Sequence, residues 1–211
     1  MRDTPHFMDR SDGGDHAGRR PYDVVVMSAS AGGLAALIEI LPHLPEDFPI
    51  PIVVVMHHGA GRSQNVVDIL ARRTKLSVVA AVDGDRLEPG VIYLAPASRH
   101  MLLADHRIAS MDGRQINYLR SSSEPLLGSV VSAFGSRAIA VILTGSGRNG
   151  AFGARALHDA GGMVLVQDPK TAEALGMPLA AIEAGAANEV VPLKLIGPRL
   201  VELTRTPAME P

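Results

Sequence analysis

Val24-Val25-Val26-Met27 runs directly into Ser28-Ala29-Ser30-Ala31-Gly32-Gly33, after which Leu34, Leu37, Ile38 and Leu41 recur at i, i+3, i+4 and i+7. Four consecutive apolar residues offer no face to water, so the strand they form has to be covered on both sides. The spacing that follows is a single apolar stripe on a helix. A covered strand, a small-residue turn and a one-sided helix together make half of a strand–helix–strand crossover.

The pattern repeats along the chain. Ile50–Met56 is a second covered run, followed by His57-His58-Gly59 and a helix expected over Ser63–Lys75. Val78–Val82 and Val91–Ala95 read as strands, and Met101–Ala104 with Arg107–Ser110 as a hairpin turning at Asp105-His106. Leu126, Leu127, Val130, Val131 and Phe134 mark a helix leading into the strand Ala138–Leu143. A helix after Gly150, a strand Met163–Gln167, a helix near Pro178–Ala184, a strand Glu189–Val191 and a helix near Leu195–Leu203 complete the order. Strands alternating with helices predict a doubly wound α/β domain with a mainly parallel sheet and helices on both faces. Residues 78 to 118 depart from the alternation and are expected to carry short antiparallel pieces. Residues 1–21, polar and without apolar period, read as a mobile tail, 22–204 as one domain and 205–211 as a second tail.

Composition narrows the function. The chain has 211 residues, no Cys and no Trp, so disulfides, thiolate nucleophiles and Cys-based zinc sites are excluded. With a formal charge of −2 and 3 % aromatic residues it has no basic stripe interleaved with aromatics, which argues against nucleic acid as a partner. No apolar run approaches the roughly 20 residues that span a bilayer, and the first twenty residues lack the apolar middle of a signal peptide. A cytoplasmic protein with no membrane insertion is the expectation. The eight His show no H-E-x-x-H or comparable spacing, so neither a metal nor another cofactor is expected.

In open α/β sheets, sites form beyond the carboxyl ends of strands, which selects the turns after Met27, Met56, Leu143 and Gln167. The first carries Ser28 and Ser30 before a helix start, where a hydroxyl nucleophile would face unpaired N–H groups able to hold an oxyanion. The same turn reads equally as a helix cap or a phosphate cradle, although it lacks both the G-x-G-x-x-G and the P-loop pattern. His57 or His58 can turn toward it as a general base, or stand simply at a strand end. The third turn, Thr144-Gly145-Ser146-Gly147-Arg148-Asn149-Gly150, suits an anion or an oxyanion, and Asn149-Gly150 is also ordinary turn chemistry. Asp168 before Pro169 is a fourth candidate and also a turn starter.

Together these segments resemble the catalytic domain of the CheB family, the bacterial chemotaxis protein-glutamate methylesterases. The resemblance runs from about Val24 to about Leu203. It rests on Ala29-Ser30-Ala31-Gly32-Gly33, Val55-Met56-His57, Gly90–Pro96 with Arg99-His100, Val141–Gly145, Gly150-Ala151, and Gly176-Met177-Pro178 with Ala181-Ile182. It implies hydrolysis of γ-glutamyl methyl esters on chemoreceptor-like proteins through a Ser-His-Asp triad. The matching positions select Ser30 over Ser28 as nucleophile and His57 over His58 as base. Ser146 is implied as a backbone oxyanion donor, with Ala31 and Met177 beside the substrate and His100 as a spare candidate.

Three positions depart from the family pattern. Asn149 stands where the triad aspartate is expected, Ala31 where the family often has Thr, and Ser146 where it has Met. An amide orients an imidazole but supplies no charge to an imidazolium, and in the serine-protease template that exchange costs about 10⁴ in turnover. The expectation divides among a slow esterase, a catalytically silent binding relative in a sensory pathway, and a second acid such as Asp168. A fourth course is conversion of Asn149 to aspartate by deamidation, since Gly150 follows it. Many family members also carry a receiver domain, for which the twenty-odd residues before the first strand are too few. A separate response regulator is therefore the expected means of control.

Overall fold

A computed structural model describes residues 21–56, 63–96, 99–112 and 122–205. Seven strands form one sheet: β1 (Val24–Ala29), β2 (Ile52–Met56), β3 (Ser77–Ala80), β4 (Val91–Leu94), β7 (Ala138–Ile142), β8 (Met163–Gln167) and β9 (Glu189–Val191). Their order is β3-β4-β2-β1-β7-β8-β9, and every pairing is parallel. The antiparallel part is a separate hairpin of β5 (Arg99–Ala104) and β6 (Arg107–Asp112), with one further antiparallel bridge between Arg86 and Arg107. The expectation that residues 78 to 118 carry short antiparallel pieces is met by this hairpin and the bridge to Arg86, while β3 and β4 join the parallel sheet. Asp105 and His106 both take positive φ at its tip, 48° and 58°, as a two-residue turn between strongly twisted strands requires. The His106 ring meets Phe134 edge-on at 4.9 Å.

The helices divide between the two faces by strand alternation. Val25, Met27 and Ala29 point toward α1 (Gly33–Ile40), α2 (Ser63–Ala71) and α6 (Leu193–Thr204), where Leu37, Ile40, Leu70, Ile196 and Leu200 complete one core. Val24 and Val26 point the other way. They meet the hairpin, α3 (Ser123–Phe134), α4 (Ala151–Asp159) and α5 (Gly176–Glu183) through Leu126, Leu127, Val130, Leu157 and Met177. This is the doubly wound architecture that the unbroken apolar runs demand.

β3 and α2 both end short of the spans that the sequence pattern suggests. β3 stops at Ala80 because the Val82 N–H is taken by the Asp85 carboxylate at 2.8 Å, which turns the chain and leaves Val82 exposed. α2 stops at Ala71, where the Arg73 N–H bonds back to the Leu70 carbonyl in a tighter turn.

After β1 the chain moves to β2 on one side, and it returns only later to place β7 on the other. The carboxyl ends of β1 and β7 therefore flank the point where strand order reverses, the position at which such sheets open a crevice.

Candidate active site

β1 ends at Ala29, which decides between the two serines of the first turn. Ser28 is still inside the strand and buried, its hydroxyl bonded to that of Ser123 on α3. Ser30 lies one residue beyond the strand and is half-buried. Its N–H donates to the Thr144 carbonyl at 3.0 Å, and its own carbonyl accepts from Gly33 at 2.8 Å as the chain turns into α1. The turns after β1 and β7 are thus joined directly.

Thr144 fixes the second turn from several directions. Its N–H donates to Gln167 Oε1 at 2.8 Å, and its hydroxyl donates to the Ala31 carbonyl at 2.9 Å while accepting from the Ala174 N–H at 2.8 Å. Gln167, fully buried, passes the constraint on by donating to the Thr171 carbonyl at 2.9 Å. Gly145 follows, wedged between Ser30 and Met177. A Cβ there would lie 2.9 Å from Ser30 Cβ and 2.2 Å from Met177 Sδ, so only glycine lets the turns approach this closely. Ser146, like Ala31 in the first turn, is exposed, and neither N–H donates to a backbone carbonyl among the described residues. Met177 is fully buried beneath this turn, where it supports Gly145.

Asn149 lies on the α3 side. Its Oδ1 accepts from the Ser122 hydroxyl at 2.9 Å and its Nδ2 donates to the Ser123 hydroxyl at 3.4 Å. Because Ser123 also bonds Ser28, a hydroxyl–amide chain runs from Asn149 to a residue two positions before Ser30. Gly150 takes the left-handed conformation here (φ 89°), and a Cβ on it would meet Ser123 and Ser28. His57 and His58, the expected bases, lie outside the described residues, directly after the end of β2 at Met56.

A family model for the CheB methylesterase matches residues 25–200, a span that includes both turns. The chain belongs to the CheB methylesterase family. A protein-glutamate methylesterase/protein-glutamine glutaminase of Anaeromyxobacter dehalogenans is 42 % identical over 183 residues, covering 87 % of this chain and 54 % of its own length. The methylesterase FrzG of Myxococcus xanthus is 37 % identical, covering 86 % of this chain and 55 % of its own. The chain thus spans about half the length of these relatives, whereas a Leptospira interrogans relative, 35 % identical, is matched over 95 % of its length. The crystal structure of the Thermotoga maritima CheB methylesterase catalytic domain superposes with a TM-score of 0.83 at 35 % identity, covering 86 % of this chain and 98 % of that one.

Several residues of this CheB-family site were not singled out from the sequence. Ser122 caps α3 through the Glu124 N–H and holds Asn149 with the same hydroxyl. Glu124 spends its carboxylate on the next helix, accepting from Gly150 N and Gly153 N at 2.7 Å each. The start of α4 is therefore already occupied by an anion from within the chain, which corrects its reading as an open anion site. Ser122-Ser123-Glu124 ahead of an apolar stripe is a helix-start pattern, but nothing in it shows that the carboxylate reaches across to α4. Glu173 curls over Gly32, where a Cβ would lie 2.8 Å from its Oε2, setting a negative charge beside the start of α1.

The other candidates have structural employment. Asp168 accepts from the Lys170 N–H at 2.9 Å and caps a short 3-10 turn, so its carboxylate is committed there. His100 is buried, and its Nδ1 accepts from the Ser122 N–H at 3.3 Å, tying the hairpin to the start of α3. A concavity lined by Pro45, Phe48, Val201 and Arg205 lies near the amino ends of the strands, away from both turns. Among the described residues no helix is long and apolar enough to cross a membrane, and no three His, Asp or Glu side chains gather as metal ligands.

Proposed function

We propose that the chain is a protein-glutamate methylesterase acting through Ser30 and His57, with Asn149 in the third position of the triad. The observation that carries this reading is the placement of Ser30 at the strand-order reversal, bonded to the turn that holds Ser146 while Ser28 is buried. His57 takes the Ser30 proton as Oγ attacks the ester carbonyl, then returns it to the departing methanol. Water, activated by the same imidazole, releases the γ-carboxylate from the acyl-enzyme. Ala31 and Ser146 are exposed residues whose N–H groups suit the developing oxyanion, and Met177 acts from below by holding Gly145 in place.

The substrate on this reading is a methylated chemoreceptor-like protein, and a separate response regulator is the natural partner for control. The test is methanol release from a methyl-esterified receptor preparation by the protein, Ser30→Ala and Asn149→Asp. Activity abolished in Ser30→Ala supports the assignment, and activity unchanged in that variant removes it. One observation favours a second reading, a catalytically impaired binding protein. The side chain held by Ser122 and Ser123 is an amide and brings no charge to a histidine. That reading predicts receptor binding without methanol release in both the protein and Ser30→Ala.

A further inference from the structure

The surroundings of Asn149 are unusual for an amide. Two hydroxyls, Ser122 and Ser123, approach its two polar atoms, and both residues open α3, whose first-turn N–H groups carry the positive end of a 12-residue helix. A hydroxyl donates or accepts with equal ease, so the cradle accommodates a carboxylate without rearrangement. Beside it, the Gly150 N–H points at Glu124 Oε1 at 2.7 Å, and the Asn149 Oδ1 receives the Ser122 O–H at 2.9 Å. These are the two forms of assistance that cyclisation of an Asn-Gly pair calls for. One is a base at the attacking backbone nitrogen, and the other is a donor at the oxygen where charge develops.

We infer that Asn149 is a self-modification site at which the fold converts the amide to a carboxylate. The Gly150 nitrogen gives its proton to Glu124 and forms a bond to Asn149 Cγ. Charge on Oδ1 is held by Ser122. The Cγ–Nδ2 bond then breaks, and ammonia leaves with the proton that Glu124 returns, leaving a five-membered succinimide. Water opens that ring. Because Ser122 polarises the carbonyl at Cγ, addition is directed there, and the product is ordinary aspartate rather than the isoaspartate that dominates in free chains. On the reading of Ser30 and His57 given above, the new carboxylate completes a Ser-His-Asp triad; the modification itself does not depend on that reading.

The experiment follows the mass of the full chain during incubation at pH 8 and 37 °C, with fragmentation of the peptide containing residue 149 to separate aspartate from isoaspartate. The same chain held in denaturant and a Glu124→Gln variant are run beside it. The expected result is a gain of one dalton at residue 149, faster in the folded chain than in denaturant and mainly as aspartate. Conversion in folded Glu124→Gln should be slower by about 10²-fold, the low end of what a positioned base contributes. Conversion slower in the folded chain, or equal in folded Glu124→Gln, overturns the inference, as does a predominance of isoaspartate. Methanol release by Asn149→Asp is measured separately. If residue 149 converts while Asn149→Asp stays silent, the modification stands and the esterase assignment falls.

Discussion

The Ser122 hydroxyl donates to Asn149 Oδ1 across 2.9 Å, so the N-cap residue of α3 fixes the orientation of the Asn149 side chain. The amide oxygen is thereby directed to α3, and the amide nitrogen toward Ser123. On the proposed Ser30-His57-Asn149 triad, orientation is supplied and only charge is missing.

Asn149→Asp is therefore expected to raise ester hydrolysis strongly, toward the factor of about 10⁴ that the reverse exchange costs in the serine-protease template. It should leave the fold intact, because Ser123 needs only to reverse its O–H to serve a second carboxylate oxygen. Thermal unfolding at pH 7 should occur within a few degrees of the parent, and a large drop would show that the cradle does not accept the charge.

Glu124→Ala removes the carboxylate that satisfies two N–H groups at the start of α4. Hydrogen bonds to a charged acceptor contribute about 1.5–3 kcal/mol each, and water recovers part of that at a half-buried site. A net loss of about 2 kcal/mol is expected, read as a lower denaturant midpoint at unchanged slope. A change below about 0.5 kcal/mol, the ordinary range of surface substitutions, would mean that α4 is capped equally well by water.

Gly145→Ala and Gly176→Ala separate two kinds of close approach. At 145 the added methyl meets the Met177 thioether and Ser30 Cβ; at 176 it meets Gly147 backbone N and O at 2.5 and 2.7 Å. A flexible thioether can yield, whereas the Gly145–Gly147 backbone moves as a whole. Both variants should lose about 1–3 kcal/mol of stability. Gly176→Ala should lose more activity, and Gly145→Ala should be partly rescued by Met177→Ala. Rescue of Gly176→Ala by that same truncation would contradict the assignment of the clash to the Gly147 backbone.

What could be read from sequence and what could not have distinct physical causes. Unbroken apolar runs such as Val24–Met27 force burial on both faces, so the parallel sheet and its helices follow from local pattern. The break in alternation over residues 78 to 118 was legible too, and it corresponds to the antiparallel hairpin of β5 and β6, whereas a strand of only four residues such as β3 carries too little pattern to declare its direction. In the site, Ser30 and the Gly145–Gly147 turn lie at strand ends, where position in the chain and position in space coincide. Ser122, Glu124 and Glu173 could not be found that way. Each acts on another element, across a packing contact between α3 and α4 or between the α5 approach and α1, and no local spacing encodes such a reach. Asp168 illustrates the converse, a carboxylate at a strand end that its own 3-10 turn has claimed.

The edge of the sheet offers a test away from the site. Glu189 opens β9 and receives both Arg199 Nε, at 2.9 Å, and Arg199 Nη2, at 2.6 Å, from α6. These hydrogen bonds hold the Glu189 carboxyl below the ordinary glutamate range, with partial burial opposing them and the Arg199 charge adding to the effect. Because the folded value is depressed, the contribution is fully present above the unfolded value of about 4.3 and disappears as pH falls through the folded one. Both side chains are about one-third exposed, so solvent screening limits the pair to about 1 kcal/mol despite its two-pronged geometry. Glu189→Gln should accordingly lower the denaturant midpoint at pH 7, and the difference from the parent should shrink as pH is lowered from 4 toward 2. A difference that stays constant over that range would mean that Glu189 holds β9 to α6 by packing, with its ionisation contributing nothing.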